Sequence, residues 1–343
     1  MKLLSPIPFA SRLSLPSLFI LLGCLHPVSA QPSVAGTLEP QFDKGKSFTQ
    51  IYTLTALVSD SSMLQIQFVL TNLGLTDRNG ACKIVLVSRA GKPLVWNRKY
   101  GAGEWRYIAR SDTQSLTIGA NRILVHDGGT TAVAGDNKIT AEVRFQRKPD
   151  LMSPPGAHIS AKGRFFEYAV GIRWMPALVT LKHGESPVEK LHGYAMFEIS
   201  RSTSYPADIC RGWLTFRGYG VNAAFTANIR LPPEGSAQAT GWVWKGEDLA
   251  PAPIQNLLLE LDARNGIRSK PTLRKVAATD ASFTIVPQEF LCRYSFIDEL
   301  GPVLGAVVKL VVGAPVVYFY RAHAQVPGST TAVPGILEYM SIE

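Results

Sequence analysis

Cysteine is scarce in this 343-residue chain. There are four, and one of them, Cys24, falls in an N-terminal apolar stretch. Cys82, Cys210 and Cys292 are odd in number and widely spaced, and no CxxC occurs. That spacing argues against a zinc knuckle and a thioredoxin-type centre. It fits either one disulfide with a thiol left over or three buried small hydrophobes. Also missing are G-x-S-x-G, H-E-x-x-H, a P-loop and any Cys/His metal spacing. "GAGEWR" (101–106) starts like a dinucleotide loop but lacks the third glycine and the following helix. No metal and no cofactor is therefore expected. Within "FRGYG" (216–220), Arg217 to Gly220 match the first four places of an RNA-binding octamer, but Val221 stands where an aromatic should stack on a base. No nucleic-acid partner is expected. The formal charge of +9 is modest and scattered. It suits a mildly basic exterior, or attraction to a membrane surface of anionic headgroups.

Long hydrophobic runs are few. The first, "LSLPSLFILLG", has 11 residues and follows Lys2 and Arg12. It is too short to span a bilayer, which takes ~20 residues, and has the length of a signal-peptide core. Residues 1–30 are thus expected to be a leader. "VSA" (28–30) suits signal peptidase, whereas "LLGC" (21–24) resembles a lipobox that would acylate Cys24. Either way the protein is expected to be exported, as a periplasmic or secreted protein or one lipid-anchored to the envelope. The second run, 299–325, is interrupted by Lys309, Pro302 and Pro315. It reads as a short helix near 301–312, then a strand with Val316, Tyr318 and Tyr320 on one face.

Strand patterns fill the rest. In "LQIQFVLTNLGLTDRNGACKIVLV" (64–87), Leu64, Ile66, Phe68 and Leu70 alternate with polar residues, and Asn79-Gly80 sits near the expected turn. "NKITAEVRFQ" (137–146) and "VNAAFTANIR" (221–230) alternate as cleanly. Turn signals such as "HDGG", "AGDN" and "LPPEG" separate many short strands, the pattern of sandwiches or barrels. No sequence repeat links the two halves. The polar segment "LKHGESPVEKL" (181–191) is the best boundary, giving one β-barrel over 31–185 and another over 186–343.

Chemistry concentrates in "HGYAMFEISRSTSY" (192–205). Strand spacing puts Tyr194, Met196 and Glu198 on one face. A carboxylate there either pairs with an arginine, Arg201 or Arg211 being nearby, or sits in a pocket as a proton donor. The structural pair is the favoured alternative. The tryptophans, Trp213 among them, suit a ligand platform or, more often, a core. His126 is expected to bond within its own turn. The orientation of His192 and His323, in predicted strands, decides whether they matter.

The order "FVLTNLGLTDRNGACKIVLV", "LTIGANRILVHD", "KITAEVRFQRKPD", "HGYAMFEISRST", "GWLTFRGYG" and "GILEYMSIE" resembles the two-domain lipocalin-like family of carotenoid hydratase (hydroxyneurosporene synthase) and fungal survival factor. The resemblance implies an all-β fold of two tandem antiparallel barrels, with an apolar ligand inside or between them. In its hydratase branch an acidic residue is followed by His. Here Glu198 fits the acid and Ile199 takes the next place. The leading expectation is therefore an exported, non-enzymatic carrier of a lipid or isoprenoid-like hydrophobic molecule, with Phe68, Leu70, Tyr194, Met196 and Trp213 as ligand contacts. The alternatives are a cofactor-free hydratase or cyclase using Glu198 as catalytic acid, and a structural or glycan-binding envelope protein.

Overall fold

The computed structural model describes residues 38–42, 47–58, 62–72, 77–88, 93–161, 163–220, 223–233, 239–245, 250–254, 257–262, 272–278, 283–295, 315–326 and 331–342. The leader, Cys24 and the helix expected near 301–312 lie outside them. No helix among the described residues is long and apolar enough to cross a membrane.

The described chain is almost entirely β. Its strands are β1 (Thr49–Val58), β2 (Met63–Thr71), β3 (Asn79–Val87), β4 (Leu94–Tyr100), β5 (Trp105–Ala109), β6 (Gln114–Ile118), β7 (Asn121–His126), β8 (Gly129–Gly135), β9 (Ile139–Phe145), β10 (His158–Ala161), β11 (Arg164–His183), β12 (Glu189–Ser202), β13 (Gly212–Gly220), β14 (Ala223–Leu231), β15 (Thr240–Lys245), β16 (Ala252–Ile254), β17 (Leu257–Asp262), β18 (Thr272–Ala278), β19 (Phe283–Tyr294), β20 (Pro315–Gln325) and β21 (Val333–Ile342). One antiparallel sheet runs β4-β3-β2-β1-β12-β11-β9-β8-β7-β6-β5, with β10 beside β11. The other runs β16-β15-β14-β13-β21-β20-β19-β18-β17. Each curls into a nearly closed barrel. In the first, the two ends of the sheet meet where Asn121 donates to the Tyr100 hydroxyl at 2.8 Å. There a Cβ on Gly80 would lie 2.7 Å from the Ile118 side chain, so glycine permits the approach.

Period-2 alternation explains both interiors. Leu64, Ile66, Phe68 and Leu70 point inward, as their spacing predicts, and pack with Tyr52, Leu54, Ile84, Leu116, Val143 and Phe197. Phe68 and Leu70 are fully buried. They line neither of the two cavities described below. The first barrel is filled by its own side chains, as a small barrel can be. The second core gathers Phe216, Phe225, Ile285, Val316, Tyr318, Tyr320 and Leu337.

Local details depart from the sequence reading. Asn79 and Gly80 pair with Thr71 and Leu70 in the ladder, so they follow the turn, and Arg78 carries its positive φ of 58°. The strands expected at 164–172 and 177–182 are one, β11, with register shifts between Val170 and Met175. Segment 181–191 is the tip of the β11–β12 hairpin, where Leu181 pairs with Glu189. The change of sheet comes later, between Ser202 and Gly212, through the single helical turn Pro206–Ile209. Polar composition marked that hairpin tip; it could not mark a sheet change made within a well-packed stretch.

Candidate active site in the seam between the barrels

Alternation also gives each barrel an outer face, and two of these faces meet. From the first barrel come Tyr168, Val170, Trp174 and Met196. From the second come Ala224, Trp242 and Trp244, with Trp213 and Tyr219 at their edge. Phe166 meets Trp213 edge-on with centroids 4.8 Å apart. The Trp174 indole donates to the Thr226 hydroxyl at 2.8 Å, sealing the seam with a polar contact. A further apolar layer joins Met63, Val85 and Val87 to Cys292, Phe319 and Ile336.

A charged cluster is buried in this seam. Glu198, on β12, faces Arg217, on β13. Arg217 donates to Glu198 Oε2 through Nη2 at 2.8 Å and Nε at 3.2 Å. Its Nη1 donates to Glu338 of β21 at 3.1 Å. The Tyr168 hydroxyl donates to Glu198 Oε1. Glu198 is 2% and Arg217 6% exposed. Burial pushes Arg217 down, but the facing Glu198 and Glu338 carboxylates more than reverse it, so the guanidinium holds its proton more tightly than usual. Burial, and then the Glu198 charge, raises Tyr168 well above the ordinary phenol. The favoured structural pair thus exists with a different partner. Arg201 points into the first barrel and binds Glu167 at 2.6 Å.

The cluster borders a cavity of about 320 Å³. Glu198, Arg217, Glu338 and Tyr168 share it with Phe166, Trp213, Ile209 and Met340, and with Thr53, Gln67 and Asn228. The Trp213 indole donates to Asn228 Oδ1 at 2.9 Å. Cys210 also lines it, and burial pushes that thiol up to about 11. Of the sequence-predicted residues, Glu198 and Trp213 meet here. Tyr194 lines a separate, larger cavity, and Met196 is packed in the apolar layer. Arg217, Glu338 and Tyr168 were missed. Arg217 stood inside the rejected "FRGYG" motif, and its outward strand position was the available signal. Among the described residues no group of three metal-ligating side chains converges, and Cys82, Cys210 and Cys292 are free and buried. His126 behaves as its turn predicts: Nδ1 accepts from the Gly128 N–H at 3.0 Å.

No protein-family model matches the chain, and no curated protein matches it in sequence. Solved structures match its fold. An ATTH protein from Nitrosomonas europaea is 12% identical at a TM-score of 0.60, covering 90% of this chain and 99% of that one. CghA with Sch210972 is 10% identical at 0.55, covering 87% and 89%. Kievitone hydratase from Nectria haematococca is 11% identical at 0.54, covering 92% and 95%. At such identity the likeness establishes the fold: two lipocalin-like barrels in tandem. Kievitone hydratase shares that fold along most of both chains, so the leaning toward a non-enzymatic protein is corrected: the fold is one that an enzyme also has.

Proposed function

We propose that the protein is a cofactor-free hydratase or cyclase of an isoprenoid-like alkene, related to the carotenoid-hydratase family and exported by its leader. The observation carrying this reading is the charge balance of the buried cluster: two carboxylates, Glu198 and Glu338, face one guanidinium, Arg217. A proton taken up there belongs to the carboxyl pair and brings the cluster to neutrality. Transfer of that proton to one alkene carbon leaves a carbocation at the other and one net negative charge on the cluster. The opposite charges attract more strongly beside this buried cluster than they would in bulk water. The aromatic side chains of Trp213, Phe166 and Tyr168 line the same space, and a ring face turned to the cation would favour it further. Water then adds to the cation and returns a proton to the carboxylate, giving an alcohol. Attack by a second double bond of the same molecule, followed by proton loss to the carboxylate, gives a ring. In this reading Glu198 serves as a charged partner of Arg217 as much as a proton donor.

The test is incubation with squalene, geranylgeraniol and a prenylated phenol in ¹⁸O-labelled water. The expected result is labelled alcohol, or a cyclic isomer of unchanged mass, that disappears in Glu338→Gln and Glu198→Gln. Alkenes that bind in the seam yet return unchanged would overturn the reading.

A further inference from the structure

The larger cavity of the seam is not the one that holds Glu198. It measures about 1140 Å³. We propose that it is a second binding site, for an amphipathic anion: a carboxylate or phosphate group carried on an apolar chain.

Each wall brings one arginine and one histidine. From the first barrel come Arg144 of β9 and His192 of β12. Both pair with Leu178 on β11 between them, so three adjacent strands carry them in one cross-strand row. From the second barrel come Arg321 and His323 of β20, two residues apart and therefore on one face. Among the described lining residues there is no acid. The arginines do have carboxylate partners, Glu142 for Arg144 at 2.6 Å and Glu289 for Arg321 at 2.9 Å, but neither glutamate lines the cleft. Arg321 keeps a donor in reserve: its Nε is buried without a hydrogen-bond partner. A buried N–H left unpaired is costly, and an anionic oxygen would satisfy it. The rest of the lining is largely apolar, with Leu57, Pro176 and Ile336 beside the stacked rings of Tyr194 and Tyr219. Cationic groups above an apolar trough match a molecule with one charged end. The volume exceeds what a bare ion fills and suits a ligand of drug size or larger, for which pockets run to roughly 1000 Å³.

This inference does not rest on the hydratase reading, and an equilibrium binding measurement separates the two. Delipidated full-length protein is titrated calorimetrically with dodecanoate, monododecyl phosphate, dodecanol and inorganic phosphate. Both amphipathic anions should bind, and the alcohol should bind about tenfold or more weakly, the difference that one charge-assisted contact makes. Inorganic phosphate alone should give no comparable heat. Arg144→Gln with His192→Gln, both at exposed positions, should weaken the anions about tenfold and leave dodecanol unchanged. Arg321→Gln with His323→Gln should do the same from the other wall. Equal affinity for dodecanol and dodecanoate, or wild-type anion binding in both double variants, would overturn the proposal. So would inorganic phosphate binding as tightly as its dodecyl ester.

Discussion

Tyr194 and Tyr219 stack across the seam, with ring centroids 3.3 Å apart and planes 17° from parallel. Four residues beyond Tyr194 on the same strand face, Glu198 meets Arg217, which lies two residues before Tyr219. The facing strands β12 and β13 therefore carry an aromatic rung and then an ionic rung. Tyr194 and Tyr219 border the larger cavity, Glu198 and Arg217 the smaller, and Met196 fills the step between them.

The filled interior of the first barrel sets the response to Phe68→Ala. Removing this fully buried ring from a packed core should cost ~3–5 kcal/mol in urea unfolding. Ligand affinity in the surviving folded fraction should be unchanged. A loss below ~1 kcal/mol, together with weakened ligand binding, would return the ligand to the barrel interior.

The ionic rung should respond asymmetrically. Glu198→Gln leaves Arg217 with Glu338 as partner and should cost ~1–3 kcal/mol. Arg217→Met strands two carboxylates in the seam and should cost more, ~3–5 kcal/mol. Chemical denaturation of the two variants side by side gives the order. Equal losses would mean that Glu338 does not share the guanidinium.

How much of this was legible in the sequence differs between inside and outside. Alternation placed Leu64, Ile66, Phe68 and Leu70 inward correctly, and it put Tyr194, Met196 and Glu198 on one face. It could not say what that face meets. Arg217 is 19 residues from Glu198 and Glu338 is 140. Contacts between the outer faces of two sheets leave no local periodicity to read. Arg201 was the nearer arginine in sequence, but its odd offset from Glu198 turns it into the barrel, where Glu167 holds it. The sheet change at 203–211 was hidden for a similar reason: a Pro-initiated turn within a strand-rich stretch looks no different from a hairpin tip.

The thiols should be silent in the folded protein. Burial pushes Cys210 up to about 11, Cys292 to about 12, and Cys82 higher still. At pH 8 almost none of each is thiolate, the reactive form. Peptide mapping after iodoacetamide treatment should find Cys82, Cys210 and Cys292 unmodified in native protein and all three alkylated in urea. Rapid labelling of Cys210 in native protein would mean that the smaller cavity is far more open than described.

Two buried phenols should make the fold sensitive to alkali. Burial raises Tyr52, and burial with the Glu198 charge raises Tyr168, both well above 10. Below pH 10 folded and unfolded chains both keep these protons, so their contribution to stability is fully present. Above it the unfolded chain releases them and the folded chain does not, so stability falls as pH rises toward the folded values. The slope from the pair approaches ~2.7 kcal/mol per pH unit. Stability from urea unfolding should change little up to about pH 9 and fall progressively toward that slope above pH 10; half the slope would place one hydroxyl in contact with water, and a flat profile both.

Because the Glu198–Arg217 rung draws one residue from each sheet, neither barrel owns the site. A chain cut between Ser202 and Gly212 would part Glu198 and Tyr168 from Arg217 and Glu338 without breaking a strand. Any activity recovered on mixing the pieces would then grow with the product of their concentrations and saturate at the point where the barrels pair. The seam is thus a dimer interface folded into one chain, and the link through Pro206–Ile209 supplies the effective concentration that keeps it assembled.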